Sequence, residues 1–403
     1  MLSYKLSYDS KILPINKKKK YISNALTELK EKLNNTKSKL DVEFSNNWFA
    51  RYWKEFDPFK REKNVIATIG NTINISNAWL KCYEILNYFN LLPAELNDEH
   101  NESQFLHFDN AAFPGSFIIS THHLIHTTKQ WHAKYKWIAS SLFEPNEENP
   151  DPLEDKYKLY ANYTDNWLMN EENNGDVLER KNQENFYSRL HNTVDLYTSD
   201  LGFDVSNDYN NQELLQLPAN IGQILTGLLT LKKGGSFVTK QYTTFEMTTV
   251  SVMFALSQLF DEFYICKPYT SRQANSETYL VGKGFKGADI DHPYVKAMFS
   301  KITSNKLDVP LFDAKQYPTK YLQDIVKISE EIFGNQIDKL NHDLEKTKEC
   351  INSRYRGKTQ NNPIVKEFHV VVNEQVESWY MQNKVYPILE SAKLQMEDGL
   401  RQN

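Results

Sequence analysis

From residue 194 onward the hydrophobic pattern switches repeatedly between a period of two and a period near 3.6, and this alternation constrains the fold more than any other feature. Val194 to Ser199 reads as a strand, 211–231 as a helix, and 235–242 as a strand behind Gly234-Gly235. Residues 245–260 read as a helix, 262–267 as a strand and 277–283 as a last strand. Strands separated by helices at this spacing run parallel, with helices on both faces of one sheet. The expectation is an α/β, doubly wound sheet. The last two strands share only a short, turn-rich link, which predicts an antiparallel hairpin at one edge.

Upstream, 77–89 (NAWLKCYEILNYF) reads as an amphipathic helix, Phe105 to Phe108 as a short strand, and 117–129 as a helix. Ser23 is placed to cap a first helix, with Ile22, Leu26, Leu29, Leu33 and Leu40 forming a stripe. Residues 143–176 are acidic and rich in Asn and Pro, and read as a long surface insertion. After residue 290 the pattern is helical. Leu322, Ile325, Ile328, Ile332, Phe333, Ile337, Leu340 and Leu344 recur at helical spacing, too briefly for a coiled coil and suited to packing on the sheet. The chain therefore divides into a basic, aromatic helical extension over 1–66, a sheet domain over 67–290 and a helical region over 291–403.

A formal net charge of -5 excludes strong, sequence-blind binding of nucleic acid over the whole surface. The charge is unevenly spread. Residues 1–90 carry 16 Lys and Arg against 9 Asp and Glu, whereas 91–210 carry 8 against 21. A basic end on an acidic chain still offers a polyanion a local track. Cys82, Cys266 and Cys350 are scattered without a CxxC pair, which argues against a disulfide scaffold or thiolate zinc site and fits a reducing, cytoplasmic compartment. Lys17 to Lys20 stands where a secretory leader would be apolar, and no stretch approaches 18 apolar residues, so no membrane span is expected.

In a doubly wound sheet, ligands bind at the carboxyl ends of the strands. The first strand runs into Asp109-Asn110-Ala111-Ala112-Phe113-Pro114-Gly115-Ser116-Phe117, and the second ends at Asp200. The third carries Lys240, a costly residue in an apolar strand unless paired or at its end. Glu277 opens the last strand, and Lys81 lies on the helix ahead of the first. Each of these alone reads as a surface charge at the border of an element.

Taken together, their order and context resemble the FtsJ-type ribose 2′-O-methyltransferases, which use a Lys-Asp-Lys-Glu tetrad. The match is nearest to the eukaryotic and viral enzymes that methylate the first transcribed nucleotide of capped mRNA. Ser271 to Glu277 (SRQANSE), Ala139 to Pro145 (ASSLFEP) and Gly175-Asp176-Val177 are especially similar to the cap enzymes. Residues 154–169 (EDKYKLYANYTDNWLM) resemble the proteins of large cytoplasmic DNA viruses of the asfarvirus kind. The resemblance covers about residues 45–290.

It implies a Rossmann-like fold, S-adenosyl-L-methionine as cofactor, capped mRNA as substrate, and a catalytic set of Lys81, Asp200, Lys240 and Glu277. Lys240 would be the general base. Burial and the cation of Lys81 would lower its pKa, while Asp200 and Glu277 orient the two ammonium groups. The cofactor would lie along Ala111, Ala112, Phe113, Pro114, Gly115, Ser116 and Phe117, with Asp109, Asp176, Val177 and Asn77 serving it. Ser116 stands where a second glycine is usual, and Phe113 where a small residue often sits, so both narrow the loop. RNA would meet Asn210, Asn211 and Asn275, and the cap or its phosphates would meet Arg51, Trp53 and Lys54. An inward-packed aromatic helix explains that last stretch equally well. No metal is implied. His122 and His126 are one turn apart near His123 and His132, but the HExxH glutamate is absent. Other capping or transcription proteins are further partners of such an enzyme. Methylation of rRNA or tRNA, and a catalytically inactive RNA-binding or virion subunit, remain the competing readings.

Overall fold

The computed structural model describes the chain apart from residues 9–11, 17–19, 73–74, 93–103, 128–133, 143–153, 170–172, 204, 206–207, 305–306 and 395–403. Most of the lysine run, His132 and part of the expected insertion therefore lie outside the described residues. Among the described residues, seven strands form one sheet. They are β1 (Leu2–Lys5), β2 (Gln104–Asn110), β3 (Lys134–Ser140), β4 (Val194–Ser199), β5 (Leu231–Gln241), β6 (Phe260–Lys267) and β7 (Thr278–Phe285), ordered β1-β6-β7-β5-β4-β2-β3. Strands β2 to β5 pair in parallel. β7 pairs antiparallel with both β5 and β6 and so enters the sheet reversed between two parallel strands.

The expected hairpin forms. The outermost strand on that side is β1, however, which pairs antiparallel with β6 and which no periodicity announces in so short a segment. β3 is likewise a strand that the sequence reading passed over. β5 begins at Leu231, ahead of the glycine pair, and Gly234 there adopts φ +81.

Helices cover both faces. α1 (Asn24–Glu43), α2 (Asn47–Trp53) and α3 (Glu62–Ile69) precede α4 (Asn77–Tyr88). Then follow α5 (Ser116–Thr127), α6 (Leu159–Asn162), α7 (Arg180–Leu190), α8 (Gln212–Thr230) and α9 (Met247–Leu259). α10 (Pro293–Ser304), α11 (Thr319–Asn352), α12 (Pro363–Val371) and α13 (Asn373–Gln382) complete the chain. One face of the sheet (Leu196, Val238, Tyr279, Val281) packs on α4 and α5. The other (Phe108, Tyr197, Phe237, Leu280) packs on α7, α8 and α9. α9 is buried on every side, its Thr and Ser side chains included, as befits a helix beneath other elements.

The C-terminal stripe continues through α11, where Ile325, Ile328, Ile332, Phe333 and Leu340 are buried. α1 lies along α11, burying Leu26, Leu29, Leu33 and Leu40, and α11 packs on α9 through Tyr321 and Phe254. Tyr321 fastens this layer by donating to the Val250 carbonyl at 2.6 Å.

The described part of 143–176 corrects the reading of a surface insertion. Tyr157, Leu159, Trp167 and Leu168 are buried, and Trp167 forms a parallel bridge with Ala139 of β3. The apolar side chains spaced among its acids outweigh its overall polarity.

Candidate active site

Four charged side chains from four elements meet at the carboxyl edge of the sheet. Ser76 caps α4 by accepting from the Trp79 amide, which sets the helix so that Lys81 points at the sheet. The Lys81 Nζ lies 2.8 Å from Glu277 Oε1 and 3.6 Å from Asp200 Oδ2. Lys240, beside Tyr279 in the β5–β7 register, places Nζ 3.3 Å from Asp200 Oδ1 and donates to the Asp200 carbonyl at 2.8 Å. Gly202 leaves the room for this: a Cβ there would come within 2.8 Å of Lys240 Nζ.

Burial opposes the charge on Lys240, but Asp200, Tyr242 and Glu277 outweigh it and hold the ammonium above its ordinary value. Burial also opposes the charge on Glu277, and the ammonium groups of Lys81 and Lys240 overcome it, holding the carboxyl below the usual carboxylate range. Two cations and two anions thus stabilise each other in a site that would reject any one of them alone.

Apart from Ser271, which lies in the SRQANSE segment, the supporting residues carry no periodicity or motif that reveals them. Tyr279 donates to Asp200 Oδ1 at 2.7 Å, and Ser271 donates to Glu277 Oε1 at 3.1 Å. Lys267, buried at the end of β6, donates to the Asn275 carbonyl, Asn275 Oδ1 and the Glu277 carbonyl at 2.6–2.8 Å. Burial pulls its pKa down to about 7. Glu84, one turn beyond Lys81, accepts from the Tyr269 and Thr270 amides, the Thr270 hydroxyl and the Trp379 indole. The loop between β6 and β7 is therefore clamped from both sides.

A cleft opens beside the tetrad, at the ends of β2, β3 and β4. Of the residues expected to serve a cofactor, Ala111, Phe113, Asp176 and Val177 line it, and Asp200 closes one end. Asn110, Ser141, Leu142, Gly175, Leu178, Leu201, Gly202, Phe203 and Ala219 complete the wall. Gly175 is required where it stands, because a Cβ would lie 1.8 Å from the Ser141 carbonyl oxygen and φ is +82. Phe113 turns its ring toward Trp167, with centroids 4.8 Å apart.

Asn77, Asp109, Ala112, Pro114, Gly115, Ser116 and Phe117 do not reach the cleft wall. Asp109 is buried and accepts from Thr198 at 2.6 Å. Ser116 starts α5 and its hydroxyl meets Ser76 Oγ at 2.8 Å, which directs it away from the loop. Leu142, Val177, Leu178 and Phe203 give the cleft apolar walls and Asp176 and Asp200 bring carboxylates to it, a lining suited to a ring carrying polar arms.

The residues expected at RNA divide. Asn210 and Asn211 are exposed in the turn before α8. The Asn275 side chain is engaged by Lys267 and Ser271 within the clamped loop. Arg51 and Lys54 are exposed, and Arg51 lies over the Trp48 ring. Trp53 packs against Phe44 and Phe49 and lines a small groove shared with Arg272 and Gln273. His122 and His123 are occupied in another way: their Nε2 atoms meet the Ala392 and Tyr386 carbonyls at 2.6 and 2.9 Å, tying down the C-terminal segment. Among the described residues no group of His, Cys, Asp or Glu is arranged to hold a metal. Nor is any helix among them long and apolar enough to cross a membrane.

A largely parallel sheet, with β1 and β7 reversed, and a cleft beside four charges at its carboxyl edge make this a doubly wound α/β protein with its site where ligands bind in that fold. The FtsJ-like methyltransferase family model matches residues 75–285, more than half of the chain, and the chain belongs to that family. It is 41% identical over 238 residues to "Probable methyltransferase EP424R" of African swine fever virus (isolate Pig/Kenya/KEN-50/1950), covering 56% of this chain and 53% of that protein. It is 30% identical over 310 residues to "Cap-specific mRNA (nucleoside-2'-O-)-methyltransferase 2" of Pongo abelii, covering 74% of this chain and 39% of that one. The chain thus spans about half, or less, of the length of these relatives.

Proposed function

We propose that the chain methylates the ribose 2′-hydroxyl of the first transcribed nucleotides of capped mRNA. The observation that carries this reading is the convergence of Lys81, Asp200, Lys240 and Glu277 beside the cleft. A 2′-hydroxyl is a weak nucleophile and must lose its proton as it attacks. Two lysines held by two carboxylates at one sheet edge suit that task better than a merely structural ion pair.

In this reading Lys240 takes the proton, and Asp200 fixes its Nζ through side chain and carbonyl together. Lys81 contributes a second positive charge, which works against the ammonium form of Lys240. Glu277 and Tyr279 hold Lys81 and Asp200 in place. Bound S-adenosyl-L-methionine supplies the electrophilic methyl group and a sulfonium cation. Alignment of hydroxyl and methyl supplies the rest, on the order of 7–11 kcal/mol in well-oriented reactions. The basic, aromatic surface around Arg51 and Lys54, next to the groove at Arg272, is the proposed approach for the cap.

The test is transfer from labelled S-adenosyl-L-methionine to capped and uncapped RNA of one sequence, with the modified nucleotide identified after digestion. Preferential 2′-O-methylation next to the cap is expected. Equal transfer to uncapped, structured RNA would favour an rRNA or tRNA substrate instead. Cofactor binding without transfer to any RNA would overturn the enzymatic reading.

A further inference from the structure

Beside its buried stripe, α1 carries a polar flank. Thr27, Lys30, Asn34 and Lys37 recur at helical spacing and are each half-buried, next to the buried Leu26, Leu29, Leu33 and Leu40. This flank faces the loops that follow the strands of the site. Lys30 Nζ lies 2.9 Å from Glu246 Oε1, in the loop between β5 and α9. Asn34 donates to the Asn210 carbonyl at 3.2 Å, in the turn before α8. Lys37 is close enough to Lys267, at the end of β6, for its charge to act on that ammonium.

The two lysines of the flank are answered differently. Lys30 has Glu246. Lys37 has no hydrogen bond or ion pair among the described residues. Asp41, one turn along, favours the Lys37 charge without forming an ion pair, and loss of water pulls the ammonium down to about 8. A cation drawn out of water with no anion beside it is a costly placement, and an apolar side chain of the same length would avoid that cost. An anion carried by a ligand offsets it. The cleft lies at the ends of β2, β3 and β4, whereas β6 lies on the other side of β5, the strand of Lys240. An anion at Lys37 therefore belongs to the methyl acceptor and not to the cofactor.

We infer that Lys37 binds a backbone phosphate of the RNA, beside the nucleotide whose 2′-hydroxyl is presented to Lys240. This rests on the methyltransferase reading above. It gives α1, which precedes the span 75–285 matched by the family model, a part in positioning the acceptor.

The test is binding of a short capped RNA to the full chain by fluorescence anisotropy at several salt concentrations, together with steady-state methyl transfer, for Lys37→Met, Lys37→Gln and Lys37→Arg. Lys37→Met should weaken RNA binding about fivefold or more and reduce the slope of log affinity against log salt by about 0.7, the share of one phosphate on a single strand. The loss should fall on KM for RNA and not on kcat. Affinity for S-adenosylhomocysteine should stay within about twofold of wild type, and the melting temperature of the ligand-free chain should be unchanged or higher, because the unanswered charge is gone. Lys37→Arg should keep the wild-type salt slope. If Lys37→Met does not fold, the same loss is expected of Lys37→Gln. Wild-type RNA affinity and salt slope in a folded Lys37→Met or Lys37→Gln would overturn the inference while leaving the methyltransferase reading intact. Neither RNA binding nor transfer by the wild-type chain would overturn both.

Discussion

The ammonium of Lys81, on α4, lies 2.8 Å from the carboxylate of Glu277, 196 residues further along the chain. The contact joins the helix before the first parallel strand to the start of β7, a reversed strand inside the sheet. Glu277→Gln removes the charge that balances Lys81 and leaves a buried cation under-compensated. It should lower methyl transfer and stability together. The linkage has a definite sign. Glu277 has a folded pKa of about 2, below its unfolded value, so its stabilisation is complete above the unfolded carboxylate pKa and is lost as pH falls toward 2. Melting curves between about pH 5 and pH 2 should fall more steeply for wild type than for Glu277→Gln. Parallel curves would show that the carboxylate is not held by its neighbours.

Lys240 must be neutral to accept a proton, yet its neighbours favour the ammonium. The rate of the chemical step should therefore rise with pH from about pH 6 to 9, as a larger fraction of Lys240 is deprotonated. Lys240→Ala should reduce transfer about 10²–10⁴-fold with affinity for S-adenosylhomocysteine little changed. A pH-independent rate in single-turnover measurements would count against Lys240 as the base.

Glu84 gathers four donors in a buried position, two of them amides of the loop that leads to Glu277. Glu84→Ala strands these donors, each at a cost of about 1–3 kcal/mol if water cannot reach it. Urea denaturation should show a loss of roughly 2–4 kcal/mol, and activity should fall because the loop is no longer clamped. Glu84→Gln keeps an accepting oxygen and should be milder on both counts.

Gly175→Ala tests the cleft wall. The new methyl would collide with the Ser141 carbonyl, in a backbone conformation that alanine adopts only with strain of about 1–3 kcal/mol. Binding of S-adenosylhomocysteine should weaken more than stability does, since Ser141, Gly175 and Asp176 all form the cleft. Unchanged affinity in a folded variant would place the cofactor elsewhere.

The sheet was legible because its strands and helices are locally consistent: β4, α8 and β6 each carry their own period, and α9 is an apolar run too long for a strand. β1 was not, since four residues are too few to show one, and it is a strand only because β6 offers an unpaired edge. The segment 143–176 misled in the other direction. Its acids dominate the composition, while four apolar side chains decide the packing.

For the site, the sequence by itself determined the identity and order of the charges. Lys81, Asp200, Lys240 and Glu277 could be named because their order resembles a known tetrad; singly each reads as a surface charge, Lys240 alone being a costly placement in an apolar strand. Only the tertiary structure decided that Ser116 turns toward Ser76, that Asp109 bonds to Thr198 inside the sheet, and that the Asn110 amide is buried at the end of β2. The reason is physical. Consecutive residues leaving a strand point to opposite faces, so neighbours in one motif serve different surroundings. The fastening of the β6–β7 loop by Glu84 and Lys267 likewise depends on which buried donors and acceptors meet, and that is settled only when distant elements pack.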